Sequence, residues 1–194
     1  SFEATNRTEL LVFTDKQQVY KTKLSDMEDT KASALGTYLP GKLSMDEGEK
    51  VVSLIRPGDY RKNLLLFFEN GKVARLDTST YETKTNRKKL VNAYSDKSPL
   101  AAVFMISEEI NVAMFSSDGR AMVFNTSLLQ LKTSRSTQGV AVMSLKKNHK
   151  LVTAAPLEDT VIKNVSRYRV RSLPAAGALL KEEDRGETQM SLID

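Results

Sequence analysis

A chain of 194 residues is long enough to bury a core of ordinary domain size without disulfides or metal ions as staples. Cysteine is absent, which excludes disulfides, thiolate metal sites and a cysteine nucleophile and fits the reducing cytoplasm. The longest apolar runs, 64–68 and 100–106, are strand-sized and far shorter than the about 20 residues that a membrane helix needs. We therefore expect a soluble domain without a membrane partner.

The formal charge of +5 is unevenly distributed. Residues 181–194 contain two bases and five acids, a net charge of −3, so the rest of the chain carries +8. Such a basic body is the electrostatic signature of a polyanion binder, although many basic proteins bind no nucleic acid. The acidic composition predicts that 181–194 is a disordered tail.

A strand, a polar turn and a second strand recur three times along the chain. The copies are 10–21, 64–75 and 112–123, and their aligned residues Phe13, Phe67 and Phe115 are 54 and 48 residues apart. Each copy predicts a β-hairpin, because an apolar run enters a turn and leaves with alternating side chains. We expect the three aligned phenylalanines in the core.

The turns of the three hairpins differ at one position. Asn70-Gly71 and Asp118-Gly119 supply the glycine that a tight turn with positive φ requires. The first copy has Gln17 there, which predicts a looser or strained turn.

A second, weaker pair of strands follows each hairpin. The predicted pairs are 36–43 with 50–55, 89–94 with 100–106, and 139–145 with 150–155. Four short strands per unit and three units in series are typical of a radial array of four-stranded sheets, so the fold class is all-β and propeller-like. The predicted boundaries are a domain at 1–180, with repeats at about 9–60, 61–108 and 109–158 and a partial fourth unit at 159–180, followed by the tail at 181–194. Val161-Ile162 is the expected first strand of the partial unit.

Over about residues 9–158 the chain resembles the C-terminal domain of the A subunits of DNA gyrase and topoisomerase IV. The segment 10–24 is similar to the opening of the family's blades, and Gly48-Glu49-Lys50-Val51-Val52 to the entry into a blade's fourth strand. Arg135-Ser136-Thr137-Gln138-Gly139-Val140, followed by 142–145, resembles the segment that leads into the third strand of a later blade. The resemblance implies a β-pinwheel, a disc whose blades exchange strands.

The resemblance also implies a function. The family's domain binds and bends double-stranded DNA around a basic rim without reading its sequence, and presents that DNA to a cleavage core during ATP-dependent topology change. This chain would then be a piece of a longer protein, neither an enzyme nor a cofactor binder itself. ATP, Mg²⁺ and the topoisomerase B subunit, of the gyrase B or topoisomerase IV B type, would act through other regions of the parent, near the nucleoid.

Two motifs of the family are missing from these residues. The Gln-Arg-Arg-Gly-Gly-like box that defines gyrase does not occur, which favours topoisomerase IV unless the box lies upstream. Ser166-Arg167-Tyr168-Arg169 does not match the context of the cleavage tyrosine. His149 is the only histidine, so histidine-based catalytic triads and multi-histidine metal sites are excluded.

A rim that bends DNA needs many bases along an arc, because duplex DNA carries one phosphate charge per about 1.7 Å. Basic residues follow each hairpin turn and recur in the connections beyond it. The candidate DNA-binding residues are Lys21, Lys23, Lys72, Arg75, Lys84, Arg87, Lys88, Lys89, Arg120, Lys132, Arg135, Lys146 and Lys147. Each could also be an ordinary solvated side chain. The alternative hypothesis is a propeller-like protein-interaction scaffold with no nucleic-acid role.

Overall fold

The computed structural model describes residues 9–23, 43–83 and 88–186. The β-strands in chain order are β1 (Glu9–Thr14), β2 (Val19–Lys23), β3 (Val51–Ile55), β4 (Asn63–Phe68), β5 (Lys72–Asp77), β6 (Lys89–Leu90), β7 (Leu100–Ile106), β8 (Asn111–Ser116), β9 (Arg120–Asn125), β10 (Leu131–Lys132), β11 (Val140–Ala141), β12 (Leu151–Pro156) and β13 (Ala178–Leu179). Helical structure comprises α1 (Val165–Tyr168) and short 3₁₀ turns at Thr78–Tyr81, Thr126–Leu128, Leu157–Asp159 and Glu182–Asp184. The all-β prediction is confirmed. Among the described residues no helix is long and apolar enough to cross a membrane.

The strands form three sheets, which we call the first, second and third blades. Their strand orders are β3-β1-β2-β6, β7-β4-β5-β10 with β11 also on β5, and β12-β8-β9-β13. All three predicted hairpins are present as antiparallel pairs. Phe13, Phe67 and Phe115 occupy equivalent register positions, opposite Val19, Val73 and Ala121. The three copies are therefore true structural repeats.

The outer strand of each blade comes from the segment that follows that blade's own repeat. Leu90 of β6 pairs with Val19 in the first blade, and Val140 of β11 pairs with Val73 in the second. The prediction of a second strand pair within the copy is therefore wrong for the second and third copies. The first member of each described pair crosses to the preceding blade, where it bonds backbone groups that would otherwise be left unpaired at the sheet edge. Residues 36–42 of the first predicted pair lie outside the described residues.

The blades converge on their central strands β3, β7 and β12. Strand β7 lies between the other two and contacts both. The Ser53 hydroxyl of β3 donates to the Val103 carbonyl of β7 over 2.8 Å. Apolar side chains fill the spaces between blades: the Phe13 ring meets Tyr81 edge-on at 5.2 Å, and Phe67 stacks on Phe104 at 5.0 Å. The aligned phenylalanines are core residues, as expected, with Phe115 only 3% exposed.

The hairpin turns are the docking points for the exchanged segments. Gln17, Gly71 and Gly119 share a positive φ, of 56°, 86° and 79°. The carbonyl of each accepts a backbone N–H from the incoming segment: Ala93 at 2.8 Å, Met143 at 3.0 Å and Leu180 at 2.9 Å, in that order. The positive φ of this turn residue thus directs its carbonyl toward the segment that completes the blade.

Gln17 holds a conformation that favours glycine, as its position predicted. The hydroxyl of buried Tyr94 compensates: it donates to the Thr14 carbonyl and accepts the Gln17 N–H at 3.3 Å. Burial raises the pKa of Tyr94 to about 12, so the hydroxyl keeps its proton at neutral pH. A side chain of the second repeat therefore braces the turn of the first.

Residues 157–184 cover the outward face of the third blade and do not begin a fourth one. Tyr168 and Leu180 are buried with Phe115 and Val123, and Ile162 packs against them. The expected strand at Val161-Ile162 is wrong, because this segment packs its side chains across the sheet and forms no ladder there. Its later part supplies β13, which completes the third blade.

The predicted disorder of the acidic tail is wrong for its first residues. Glu182–Asp184 form a 3₁₀ turn, and Asp184 is 1% exposed. Its carboxylate accepts the backbone N–H groups of Lys163 and Asn164 at 2.6 and 3.1 Å, and the Tyr168 hydroxyl at 2.6 Å. An acidic composition usually indicates a solvent-exposed segment. Asp184 is instead a buried hydrogen-bond acceptor that holds residues 157–184, the covering segment, in place. Residues 187–194 lie outside the described residues.

Glycine at 139 is required by the exchange, which Gly139→Ala will test. A Cβ there would lie 2.4 Å from the Val73 carbonyl oxygen at a φ of +78°, whereas at Gly58, with φ of +58°, it would meet nothing within 4 Å. We expect Gly58→Ala to cost about 1 kcal/mol of unfolding free energy from φ strain alone, and Gly139→Ala about 3 kcal/mol. Urea denaturation measures both. Equal losses would show that strand exchange does not depend on the close approach.

Asp184→Asn tests the fastening of the covering segment. Burial by itself raises the pKa of this carboxyl, but hydrogen bonds from Tyr168, Asn164 and two backbone amides hold it well below the ordinary value. The stabilisation is therefore present above the unfolded-state pKa of about 4 and is lost as the pH falls through the folded-state value.

We expect Asp184→Asn to lose about 2 to 3 kcal/mol at pH 7, and this difference from the unaltered chain to shrink as the pH falls from about 5 toward 2. Urea denaturation across that range measures it. Asp159→Asn, which removes an exposed acid of the same segment, is the control. A pH-independent difference would contradict the role of the carboxylate charge.

Candidate nucleic-acid interface

The candidate interface is the outer edge of the blades, formed by β6, β10, β11, β13 and the connections that lead into them. Leu90, Val140 and Ala178 hold the same register position in the three blades. In the second blade Leu131 pairs in parallel with Arg75. In the third blade Arg169 forms the equivalent parallel bridge, with Val123, which occupies the position of Arg75. Basic side chains accompany these positions in every blade, and we call them the outer-edge bases: Lys88, Lys89, Lys132, Arg135, Arg169 and Arg171.

Several predicted residues have side chains that are free to meet a ligand. No ion pair or side-chain hydrogen bond within the described parts of the chain involves Lys23, Lys72, Lys88, Lys132, Lys146 or Lys147. A phosphate could therefore approach these amines without breaking a contact of the fold.

Lys89 and Arg135 are on the outer edge but also contact the protein. The Lys89 Nζ lies 3.6 Å from the Asp46 carboxylate and 5.4 Å from the centre of the Tyr20 ring. The Arg135 guanidinium lies 5.7 Å from the centre of the Tyr81 ring. Both side chains keep their charge near the surface, and the charge of Lys89 is partly offset by the Asp46 carboxylate.

Lys21 is half-buried and is committed to a contact between the first two blades. Its Nζ donates to the Thr83 hydroxyl at 3.0 Å and lies 5.7 Å from the Tyr60 ring centre. Burial lowers the pKa of Lys21, against the opposing charges of Glu9 and Glu82. Lys21 was selected because basic residues recur after the hairpin turns, but its contacts join two blades and do not present its charge on an exposed rim.

Arg75 ties the second blade to the third repeat. Its Nε donates to the Asn63 Oδ1 at 2.7 Å, and its Nη1 donates to the Thr126 carbonyl at 2.9 Å. The guanidinium also pairs with the Glu109 carboxylate, whose pKa it lowers by hydrogen bonding and charge. With its side chain only 15% exposed, Arg75 is a clamp and presents little charge to a ligand.

The remaining predicted residues lie elsewhere. The Arg120 Nε is 3.4 Å from Asp118, at ion-pair distance without hydrogen-bond geometry. Lys146 and Lys147 belong to a turn beside the hairpin turn of the third blade, where the His149 ring nitrogen Nδ1 lies 3.0 Å from the Ser117 hydroxyl. They are at the turn end of the third blade. Lys84 and Arg87 lie outside the described residues.

Sequence reasoning missed Arg169 and Arg171, which are exposed in the third blade. The available signal was the alternation Arg167-Tyr168-Arg169-Val170-Arg171, in which Tyr168 is buried and the arginines are exposed. Their equivalence to β10 becomes visible only in the pairing of Arg169 with Val123. The bases on the outer edge thus continue through the third blade.

Comparison with known families agrees with this architecture. The family described as DNA gyrase C-terminal domain, beta-propeller, matches residues 8–57 and 111–158, together half of the chain. The chain belongs to this family. The expected β-pinwheel fold is confirmed.

The DNA gyrase A subunit of Borrelia hermsii is 24% identical over 152 residues, which are 77% of this chain and 19% of that protein. The chain thus spans about a fifth of the length of this curated relative. The solved C-terminal domain of DNA topoisomerase IV is 18% identical with a TM-score of 0.74, over 90% of this chain and 58% of that one. A solved DNA gyrase A C-terminal domain gives 18% identity and a TM-score of 0.66, over 92% and 63%.

The clamp role of Arg75 predicts that Arg75→Lys destabilises the fold. A lysine cannot reach Asn63, Thr126 and Glu109 together, so we expect a loss of about 1 to 2 kcal/mol in unfolding free energy. Arg171→Lys, which alters an exposed arginine, should change it by less than about 0.5 kcal/mol. Thermal unfolding followed by circular dichroism compares the two. Similar losses would contradict the clamp.

Proposed function

We propose that this domain binds double-stranded DNA along the outer edge of its blades and bends it, as the DNA-wrapping domain of the A subunit of a type IIA topoisomerase. The observation that carries the proposal is that each of three successive blades has basic side chains on its outer edge, at register positions that differ from blade to blade. An arc of this kind suits a bent duplex better than a single deep pocket would.

The chemistry favours contacts with the DNA backbone over contacts with the bases. Lysine and arginine neutralise phosphates and release counterions, which drives sequence-independent binding. The α-helix that lies wholly within the described residues, α1, has four residues and is too short to read a major groove as a recognition helix does. Bending a site of about 20 to 30 base pairs costs about 1 to 6 kcal/mol, so contacts must recur along the arc to offset it.

In the parent protein the bound segment would be presented to the cleavage core. The proposal assigns catalysis, ATP, Mg²⁺ and the topoisomerase B subunit to other parts of that protein and no cofactor to this domain. Within the described residues, no group of three or more side chains suited to a metal ion occurs.

We propose the topoisomerase IV type for the parent, because the gyrase box does not occur in these 194 residues. The matches to the A subunits of gyrases favour the opposite assignment. Ligation of a nicked plasmid in the presence of the domain distinguishes the two types of parent, because the closed plasmid retains the supercoils that DNA wrapping introduces. Few retained supercoils would agree with the topoisomerase IV type. Many positive supercoils would assign the parent to gyrase.

A protein-interaction scaffold is the second candidate, and one observation favours it. Three apolar side chains are exposed on or beside the outer strands: Val91 at 60%, Leu131 at 46% and Leu179 at 52%. Apolar side chains at an edge can contact a protein partner as well as flank a duplex. Charge substitutions separate the two functions, because only DNA binding depends on them.

Substitution of Lys88, Lys132 and Arg135 by glutamine tests the outer edge. We expect duplex affinity in fluorescence anisotropy to fall at least about 30-fold at low salt, and the slope of log Kd against log salt to fall by about two to three. The matched control replaces three exposed turn-side lysines, Lys97, Lys146 and Lys147.

An equal loss in both triple variants would refute the outer edge as the binding surface. Failure of the unaltered domain to bind duplex at low salt would refute the DNA-binding function and leave the scaffold.

A further inference from the structure

A cleft in the second blade and a cleft in the third share one equivalent lining residue. Each is bordered by the first residue of a hairpin, Asn63 in β4 and Asn111 in β8, both four positions before the aligned phenylalanine. The cleft of the second blade measures about 230 Å³ and that of the third about 330 Å³. The repeat therefore supplies an internal comparison of two clefts with different linings.

The cleft of the second blade has charges of both signs in its lining. The bases Arg61, Lys62 and Arg75 line it together with the acids Glu108 and Glu109. The Arg75 guanidinium is occupied by the Glu109 carboxylate, by Asn63 and by the Thr126 carbonyl. This cleft's clamp arginine is therefore not left for an external anion.

The cleft of the third blade is lined by positive charge without an acid. Its lining includes Arg169 and Arg171 and contains no carboxylate. Both arginines are exposed, and neither has an ion pair or side-chain hydrogen bond within the described residues. At the position of Arg75 stands Val123, and Arg169 pairs with it along the backbone. The positive charge is therefore contributed by the covering segment and remains uncompensated.

The amides in this cleft have fixed orientations. The Ser127 N–H donates to the Asn125 Oδ1 at 3.0 Å, so the Asn125 Nδ2 is turned toward the Asn111 Oδ1, to which it donates at 3.1 Å. With its oxygen used as an acceptor, Asn111 is left with its amide N–H groups to offer. The cleft thus combines two guanidinium groups with an oriented amide donor and the Ser127 hydroxyl.

From this arrangement we propose that the third-blade cleft binds a phosphate group. Guanidinium groups bind phosphate oxygens through paired hydrogen bonds, and the Asn111 amide donates to a further oxygen. The volume is at the lower end of the range for ligand pockets, about 300 to 1,000 Å³, and admits one such group from the surface. As the source we favour a phosphodiester of the bound duplex, which rests on the proposed function; free phosphate offers the same chemistry.

Removal of both charges is the first test. In Arg169→Gln/Arg171→Gln we expect duplex affinity to fall about tenfold or more and the salt slope to fall by about one, because one phosphate contact is lost. The control Arg61→Gln/Lys62→Gln removes two charges from the second-blade cleft, whose clamp arginine is already occupied, and should change affinity less than about threefold. Thermal unfolding establishes that both variants are folded.

A more conservative variant copies the electrostatics of the second blade into the third. Asn111→Asp keeps the acceptor for Asn125 and places a carboxylate beside the two arginines. We expect it to weaken duplex binding about as much as loss of both arginines. Asn63→Asp, the same change in the cleft that already holds Glu109, should leave duplex affinity unaltered.

Inorganic phosphate separates the two sources. Titration followed by the side-chain amide resonances of Asn111 should show saturable shifts in the unaltered domain and none in Arg169→Gln/Arg171→Gln. Such shifts, with duplex affinity that falls no further than in the control, would assign free phosphate as the ligand. A domain that binds no duplex but shows these shifts would refute the proposed function and retain the cleft. Absence of both effects would overturn the phosphate site.

Discussion

Backbone pairing between each hairpin and a strand from the next part of the chain is the constraint on which this fold depends. The hairpin turn adopts a positive φ at Gln17, Gly71 or Gly119, and its carbonyl receives an N–H of the incoming segment. Gly139 lets that segment approach the Val73 carbonyl closely. No blade is complete without a segment that follows it in the chain, so three small sheets, each with few residues in its core, share one continuous structure. The position of every outer-edge base follows from this exchange, because the exchanged segments carry them.

The sequence predicts the local structure of the blades well and their connections poorly. Apolar runs before Asn70-Gly71 and Asp118-Gly119 determine two hairpins, and the aligned phenylalanines determine which face is buried. Periodicity cannot tell which sheet a short strand joins, since 89–90 and 140–141 would look the same in either blade. Strand exchange was available only from the family resemblance.

The candidate site shows a similar division. Recurrence in the sequence selected Lys21 and Arg75, yet recurrence at a strand position can equally record a contact that every blade needs. The position of a guanidinium relative to acids distant in sequence, such as Glu109, is a tertiary property that local pattern does not carry. For the same reason Arg169 and Arg171 escaped notice, because their importance depends on a cleft formed by Asn111 and Asn125 more than forty residues earlier. Net charge therefore suggests the kind of ligand that we propose and is a weak guide to the individual residues.

Asp184 is the last acceptor of a segment that stretches across the third blade, and it is held by groups of Lys163, Asn164 and Tyr168. Translation proceeds at about 5 to 20 residues per second, so completion of each blade waits for a part of the chain that the ribosome has not yet released. The first sheet needs Leu90, the second Val140 and the third Ala178. Nascent hairpins therefore leave the exit tunnel with one edge open, and the order of synthesis closes them one after another from the amino-terminal side.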